Sequence, residues 1–215
     1  MGPLMLSVDA VTFLEEEGFP VLRSLLAASE DEAAVKAAEI GFPVTLKLSS
    51  PDVVHKTEAG GIRVSLRDAA EVRQAFTEMV SAFTSGNPGK RLDGVMVQEQ
   101  GWGAEVIVGM LTDPQFGPVL MCGLGGVFVE VMKDVSFRLV PIERRDARDM
   151  LEELKGYEVL VNPRSGSTDI AAVEDFLLRV STFLEDHPEV QEMDLNPVFV
   201  SSRGVRICDA RIKTG

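Results

Sequence analysis

The chain has 215 residues, 34 of them acidic and 21 basic, which gives a formal net charge of −13 at pH 7. This length is sufficient for one domain, or for two closely packed lobes, with a substantial core. The negative charge argues against nucleic acids and anionic membrane surfaces as partners. No apolar run reaches the length of a membrane-spanning helix, and the N-terminus lacks the basic region of a signal peptide, so we expect a cytoplasmic protein.

Helices and strands alternate in the first part of the chain. Ser29 and Glu32 form a capping-box pattern at the start of one predicted helix. From Val44 the apolar period becomes two, which predicts a strand with Lys47 on its polar face. The helices are predicted in "SVDAVTFLEEEGF", "SEDEAAVKAAEIGF" and "DAAEVRQAFTEMVSAF", and a short strand is predicted in "VLRSLLA".

The centre of the chain is rich in strand patterns, and we expect a largely antiparallel block there. Two further helices and two strands joined by the turn "SSRG" follow. This order predicts an α+β fold: one domain, residues 1–215, with lobes at approximately 1–95 and 96–215 and a hinge near residues 95–103. The central strands are "GVMVQEQ", "AEVIVGML", "PVLMCGL", "VFVEVM" and "SFRLVPI", the helices are "RRDARDMLEELKG" and "DIAAVEDFLLRVSTFLEDH", and the last strands are "EVQEMDLNPVFV" and "GVRICDARI".

Three residues receive a structural interpretation. Cys122 and Cys208 stand in apolar, strand-like runs without metal or redox spacing, so buried free thiols are expected. His187 stands at a predicted helix end before a proline, where it is interpreted as a partner of the helix dipole.

The stretch "VTLKLSSPDVVHKTEAGGIRV" concentrates positive charge and glycines. A strand lysine, Lys47, followed by a loop with Lys56, Gly60 and Gly61, can hold a polyphosphate, because lysines supply charge and glycines allow close approach of backbone N–H groups. The alternative is a surface lysine and an ordinary glycine turn.

The other end of the chain offers oxygen ligands. Asp194 and Asn196 are two residues apart on one predicted strand, and Asp209 stands on the next. Such groups suit Mg²⁺, which takes one or two protein ligands and completes its shell with phosphate and water. In the alternative interpretation, Asp-x-Asn-Pro is a turn and Asp209 caps a strand end.

Several long motifs in the same order resemble one family. The chain is similar to the ATP-grasp β subunit of ADP-forming acyl-CoA (acetyl-CoA) synthetases, in the acid–CoA ligase group that also includes succinyl-CoA synthetase. The resemblance covers residues 7–212 and runs through "GFPVTLKLSSPDVVHKTEAGGIRV", "GAEVIVGMLTDPQFGPVLMCGLGGVFVEVMKDVSFRLVPI", "LKGY" and "EMDLNPVFV…ICDARI". It implies an ATP-grasp fold with the nucleotide between two lobes.

The resemblance also implies roles for nucleotide-binding residues. Lys47 would bind phosphate, and Gly60 and Gly61 would close over the phosphate tail. The segment "VQEQ", with Gln98 and Glu99, would hold adenine through backbone groups and the Glu99 side chain. Glu105 matches a nucleotide-site glutamate.

The catalytic and metal residues are implied in the same way. His55 matches a histidine that carries a transient phosphoryl group, and Asp194 matches the acidic residue that orients it. Asn196 and Asp209 match the Mg²⁺ ligands.

Two glycine-rich segments leave alternatives open. The glycines of "CGLGGVFVE" permit close approach to phosphate or to a docking loop, or they form a tight strand turn. After "KGY" the family tends to have a glycine-rich segment, where this chain reads "EVLVNPRSGS", so the contacts of that loop, which includes Arg164, stay undetermined.

The leading hypothesis is a subunit that transfers phosphoryl between ADP or ATP and a phosphohistidine, with Mg²⁺, during acyl-CoA + ADP + phosphate ⇌ acid + CoA + ATP. The resemblance implies a separate CoA-binding α subunit with its own phosphohistidine, in an α₂β₂ complex. The alternatives are an ATP-sensing ATP-grasp module without turnover and a stand-alone ATP-grasp carboxylate–amine ligase.

Overall fold

The chain forms two compact units. The computed structural model describes residues 4–6, 8–52, 61–126, 133–163 and 167–215. The smaller unit is Leu22–Gln100, and the larger unit combines Met1–Val21 with Gly101–Gly215. The expected lobes, 1–95 and 96–215, differ from these units at two places. Met1–Val21 belongs to the larger unit, because the first helix contributes Ala10 and Leu14 to its core, and the second boundary lies after Gln100.

As far as its residues are described, the smaller unit is a four-stranded antiparallel sheet with two helices on one face. Alternation places Val44, Leu46 and Leu48 against the helices, and all three are buried in the core. Its strands are β2 (Ser24–Ala27), β3 (Val44–Ser49), β4 (Ile62–Leu66) and β5 (Gly94–Glu99), in the order β2-β5-β3-β4, and its helices are α2 (Glu30–Ile40) and α3 (Ala69–Gly86).

Side-chain caps fix where the helices of the smaller unit begin. The Ser29 hydroxyl accepts a hydrogen bond from the Glu32 N–H at 3.2 Å, as the capping-box pattern predicts, while the Glu32 carboxylate accepts one from the N–H of Ala28. The Asp68 carboxylate accepts from the N–H groups of Ala70 and Glu71, which starts α3.

In the described residues, the larger unit is built on a seven-stranded antiparallel sheet in the order β1-β11-β9-β6-β7-β8, with β10 also paired to β9. Its longest strand, β9, pairs with β6 along one edge and with β10 and β11 along the other. The strands are β1 (Leu4–Leu6), β6 (Ala104–Asp113), β7 (Gly117–Leu124), β8 (Val135–Leu139), β9 (Val190–Ser201), β10 (Gly204–Ile207) and β11 (Ala210–Thr214).

Helices pack against one face of this sheet. Leu14, Met150 and Leu177, from three helices, are fully buried in one cluster with strand residues such as Leu120 and Leu195. Burial of these apolar groups is the main stabilising term of the unit. The helices are α1 (Val8–Glu16), α4 (Arg144–Glu152), α5 (Tyr157–Val161) and α6 (Ile170–Asp186).

The predicted elements are largely confirmed within the described residues, with some differences. The segment "GVRICDARI" is two strands, β10 and β11, because the chain leaves the strand conformation at Cys208 and Asp209. Strands β1 and β4 were not predicted. The predicted strand "VFVEVM" lies outside the described residues.

Both cysteines are free and buried, as expected. Burial raises the pKa of the Cys122 thiol to about 12, so this side chain acts as an inert apolar group. In the part of the chain that the structure describes, no helix is both long and apolar enough to cross a membrane.

His187 is the C-cap of α6 and contacts two carboxylates. Its Nδ1 lies 3.0 Å from Glu189 and its Nε2 lies 3.5 Å from Glu17. The ring also packs on Phe183, with 4.4 Å between centroids. Burial lowers the pKa of His187, but the bonds to Glu189 and Glu17 outweigh it and raise the pKa above 6.5.

We therefore predict that the stabilising charge on His187 is fully present below pH 6.5 and is lost as pH rises through the higher pKa of the folded state. Urea unfolding of the wild type and of His187→Gln should show a stability difference that is largest near pH 6 and smallest near pH 9. His187→Gln also removes the packing of the ring on Phe183, but this contribution to stability does not depend on pH. A difference that stays constant across this range would contradict the assignment of the charge.

Candidate functional site

The face of the smaller sheet opposite its helices carries polar side chains. Thr45, Lys47 and Gln98 lie on it, because Thr45 pairs directly with Gln98 and Lys47 follows two residues later. The side of β3 that carries Lys47 was predicted correctly, but this side chain is only 8% exposed. A lysine at such a position has partners for its charge and a defined direction.

The predicted adenine segment belongs to the central part of this sheet. Val97 and Gln98 pair with β2 on one side and β3 on the other, so sheet pairing occupies their backbones. The Gln98 amide donates to the Ser24 hydroxyl at 2.8 Å. The Glu99 N–H donates to the Arg23 carbonyl at 2.8 Å, and the Glu99 carboxylate accepts from the Arg23 N–H at 3.3 Å. The contact of residues 97–100 with adenine remains a prediction.

The predicted phosphate loop is described only at its end. Gly61 is buried, and its carbonyl accepts a hydrogen bond from the Leu48 N–H at 2.9 Å. This bond anchors the end of the loop to the strand that carries Lys47. His55, Lys56 and Gly60 lie outside the described residues, as does Arg164.

In the larger unit, the predicted acidic and amide ligands lie on the face of the sheet that is turned away from the core. We call this face the second face. Leu195 is buried, whereas its neighbours Asp194 and Asn196 are exposed, as the predicted alternation requires. The N–H of Asn196 donates to the carbonyl of Asp209 at 3.1 Å. The structure thus brings the three predicted residues Asp194, Asn196 and Asp209 together.

The chemistry of this set fits a hard divalent cation. Asp209 Oδ1 accepts a hydrogen bond from the Ala210 N–H at 2.9 Å, and within the described ranges its Oδ2 and the Asn196 amide oxygen accept none. Mg²⁺ prefers oxygen ligands and needs only one or two from the protein when phosphates are present. In the same ranges no group of three His, Cys, Asp or Glu side chains is arranged to bind a metal alone.

Asp194 has an unusual electrostatic environment. Desolvation by the surrounding strands raises the pKa of its carboxyl group, Arg211 lowers it, and Asp209 raises it further. A more basic carboxylate is a stronger hydrogen-bond acceptor, which suits a residue that orients an imidazole ring.

Glu105 also belongs to the second face, where its register partner is Phe199 on β9. The glycine segment after β7 packs against it, and the Gly125 N–H donates to the Glu105 carbonyl at 2.7 Å. A Cβ on Gly125 would lie 2.7 Å from the Glu105 Cβ, so only glycine fits this position. This contact explains Gly125, while the alternatives for the whole segment stay predictions, because residues 127–132 lie outside the described residues.

Arg211 is on the same face, although sequence reasoning did not select it. It is directly opposite Asp194 in the pairing of β9 with β11. It is also two residues after Asp209 in "CDARI", so the period of two that placed Asp194 beside Asn196 was an available signal.

Comparison with known proteins agrees with this arrangement. The profile of the ATP-grasp domain family matches residues 3–214. The chain belongs to the ATP-grasp domain family. A relative from Pyrococcus furiosus named acetate–CoA ligase [ADP-forming] I subunit beta is 39% identical to this ATP-grasp chain, over 95% of this chain and 89% of the relative.

A longer relative from Archaeoglobus fulgidus, acetate–CoA ligase [ADP-forming] I, is 45% identical over 100% of this ATP-grasp chain. The chain spans only 31% of that relative.

Solved structures show the same ATP-grasp fold. Acetyl-coenzyme A synthetase 1 (dinucleotide forming) of Ca. Korarchaeum cryptofilum, in complex with coenzyme A, Ca-AMPCP and HgCl+, is 44% identical, with a TM-score of 0.92 over 99% of this chain and 93% of that chain. Another structure of that protein, 42% identical with a TM-score of 0.84 over 99% of this chain and 93% of that chain, contains coenzyme A and Mg-AMPPCP, and its phosphohistidine segment points towards the nucleotide-binding site.

We predict that Gly125→Ala destabilises the protein by roughly 1–3 kcal/mol, because the added methyl group overpacks the contact with Glu105. The measurement is urea unfolding. Gly86→Ala is the control, since a Cβ there at the end of α3 has nothing within 4 Å. Equal stability of Gly125→Ala and the wild type would show that the turn does not require glycine.

Proposed function

We propose that this chain is the nucleotide-binding subunit of an ADP-forming acyl-CoA synthetase and transfers a phosphoryl group between ADP or ATP and a phosphohistidine. The observation that carries the proposal is the set Asp194, Asn196 and Asp209 on one face of the larger sheet, with ligand oxygens that the described residues leave unused. The match to a relative named as a beta subunit, over 89% of its length, gives independent support.

Several of the predicted residues would contribute groups that bind the nucleotide. Asn196 and Asp209 would hold Mg²⁺, which neutralises phosphate charge when bound. Lys47 would bind a phosphate, and its burial favours a fixed position over a solvated one. Glu99 and Glu105 would contact the nucleotide, and Lys56, Gly60 and Gly61 would surround its phosphate tail.

His55 would be the phosphoryl carrier and Asp194 the residue that orients its ring. In the ATP-forming direction, a β-phosphate oxygen of ADP attacks the phosphorus on the histidine. The P–N bond breaks and its electron pair returns to the ring, which is left as neutral imidazole because the other ring nitrogen already carries a proton. Asp194 would accept a hydrogen bond from the other ring nitrogen. Alignment and charge neutralisation supply most of the rate in such transfers.

A partner would supply the rest of the reaction. The Pyrococcus relative is named a subunit, and the Archaeoglobus relative is more than three times as long as the matched segment. We therefore propose a CoA-binding α subunit with its own phosphohistidine, in an α₂β₂ complex. Such a permanent interface would be large and relatively apolar.

We predict that the wild type, incubated with γ-³²P-labelled ATP and Mg²⁺, acquires an acid-labile, base-stable label, and that His55→Ala loses it while still binding Mg²⁺–ADP. A covalent carrier is indispensable for the label but not for nucleotide affinity. The chain has only one other histidine, so His187→Gln is a matched control that should retain the label.

The alternatives give different results. Nucleotide binding without any label, also in the presence of a CoA-binding partner, would indicate an ATP-sensing module. Condensation of an acid with an amine by the chain alone would indicate a carboxylate–amine ligase. Synthesis of acyl-CoA by the chain alone would contradict the proposed division between two subunits.

A further inference from the structure

A groove lies on the second face beside Asp194. Its volume is about 160 Å³, and its lining includes Asp194, Arg211, Glu192, Lys213 and Leu111. On the β6 side, the register partner of Asp194 is Gly109. Gly109 contributes no side chain on that side, and a Cβ there would lie 3.1 Å from the Met121 Cε. The groove is large enough for several water molecules or for one phosphoryl group.

The two cationic side chains of the groove, Lys213 and Arg211, differ in their ion pairing. Lys213 forms an ion pair with Glu192, so its charge is already compensated. Arg211 is exposed, and in the described part of the chain it has neither an ion pair nor a side-chain hydrogen bond. The groove therefore contains one guanidinium group without an ion pair, directly opposite Asp194 in the sheet, where its charge lowers the pKa of the Asp194 carboxyl group.

The position of Arg211 relative to the metal-binding set is also defined. Arg211 follows Asp209 by two residues, and β11 begins between them at Ala210. A phosphoryl group in the groove would lie beside Asp194 and Arg211, which line it, whereas Asp209 and Asn196 do not. Without a cation, that group would meet the carboxylates of Asp194 and Glu192, and like charges at close range repel.

We propose that Arg211 binds the phosphoryl group that is transferred, and so distinguishes ATP from ADP at this site. The planar guanidinium donates two parallel hydrogen bonds to phosphate oxygens, which a lysine cannot reproduce. Arg211 neither gives nor takes a proton. It offsets the repulsion between the transferred group and Asp194, which allows Asp194 to remain close to the histidine. This inference rests on the proposed function of the same site.

The test compares two nucleotides by isothermal titration calorimetry with the full chain and Mg²⁺. Arg211→Ala should weaken binding of β,γ-methylene ATP by about tenfold to a hundredfold, because two charge-assisted hydrogen bonds are lost. Binding of ADP, which lacks the γ-phosphoryl group, should change by no more than about twofold. Arg211→Lys should recover only part of the affinity for the ATP analogue.

Two controls separate recognition from net charge. Arg145→Gln removes the same charge from an exposed position on α4, where Arg145 pairs with Asp149, and should leave both affinities unchanged. Lys213→Met removes the neighbouring cation of the groove and should have a small effect, since Glu192 already compensates it. Thermal unfolding of each variant verifies that it is folded.

The outcomes are distinguishable. If the wild type binds neither nucleotide, the proposed function fails. If the wild type binds both, but Arg211→Ala leaves the analogue unaffected or weakens ADP to the same extent, the role of Arg211 is wrong and the proposed function stands. An equal loss in Lys213→Met would also overturn the proposal, because the effect would then follow the charge of the groove and not the guanidinium.

Discussion

Which side chains lie on the second face depends on how β9 pairs with its neighbouring strands. Along β6, Val106 pairs with Val198 and Val108 with Leu195, so β9 contains one extra residue in this interval. The extra residue forms a bulge at Asn196 and Pro197, and it lets both Leu195 and Val198 face the core. Without it, one of these apolar side chains would turn to the second face.

The bulge also determines where the polar groups lie. On the other edge of β9, Asn196 and Pro197 are bonded to the backbone of Asp209 and Cys208, at 3.1 and 3.0 Å. These bonds hold two strands in register at the point where β10 ends and β11 begins. Bulges often occur beside functional sites, since they redirect a side chain without loss of the sheet. Here the bulge presents Asn196 beside Asp209, while the apolar residues on either side anchor the strand in the core.

The sequence predicts the parts of the site that depend on local periodicity. Alternation alone places Asp194 beside Asn196 and Lys47 opposite the apolar face of β3. It does not predict that Lys47 is buried, because burial depends on side chains from distant segments. The division of "GVRICDARI" into two strands was missed for a similar reason, since it depends on the register of β9. The same alternation applies to Arg211, but the pattern of ligand oxygens that indicates Mg²⁺ contains no cation and so does not select this residue.

The most direct test of this account is the position of the metal. Mn²⁺ can replace Mg²⁺ and is visible by anomalous scattering, so a crystal structure of the chain with Mn²⁺ and ADP would locate it. The account predicts an anomalous peak within coordination distance of a carboxylate oxygen of Asp209 and the amide oxygen of Asn196, with a phosphate oxygen of ADP in the same coordination shell. A structure in which ADP is bound and the Mn²⁺ peak lies away from Asn196 and Asp209 would contradict it.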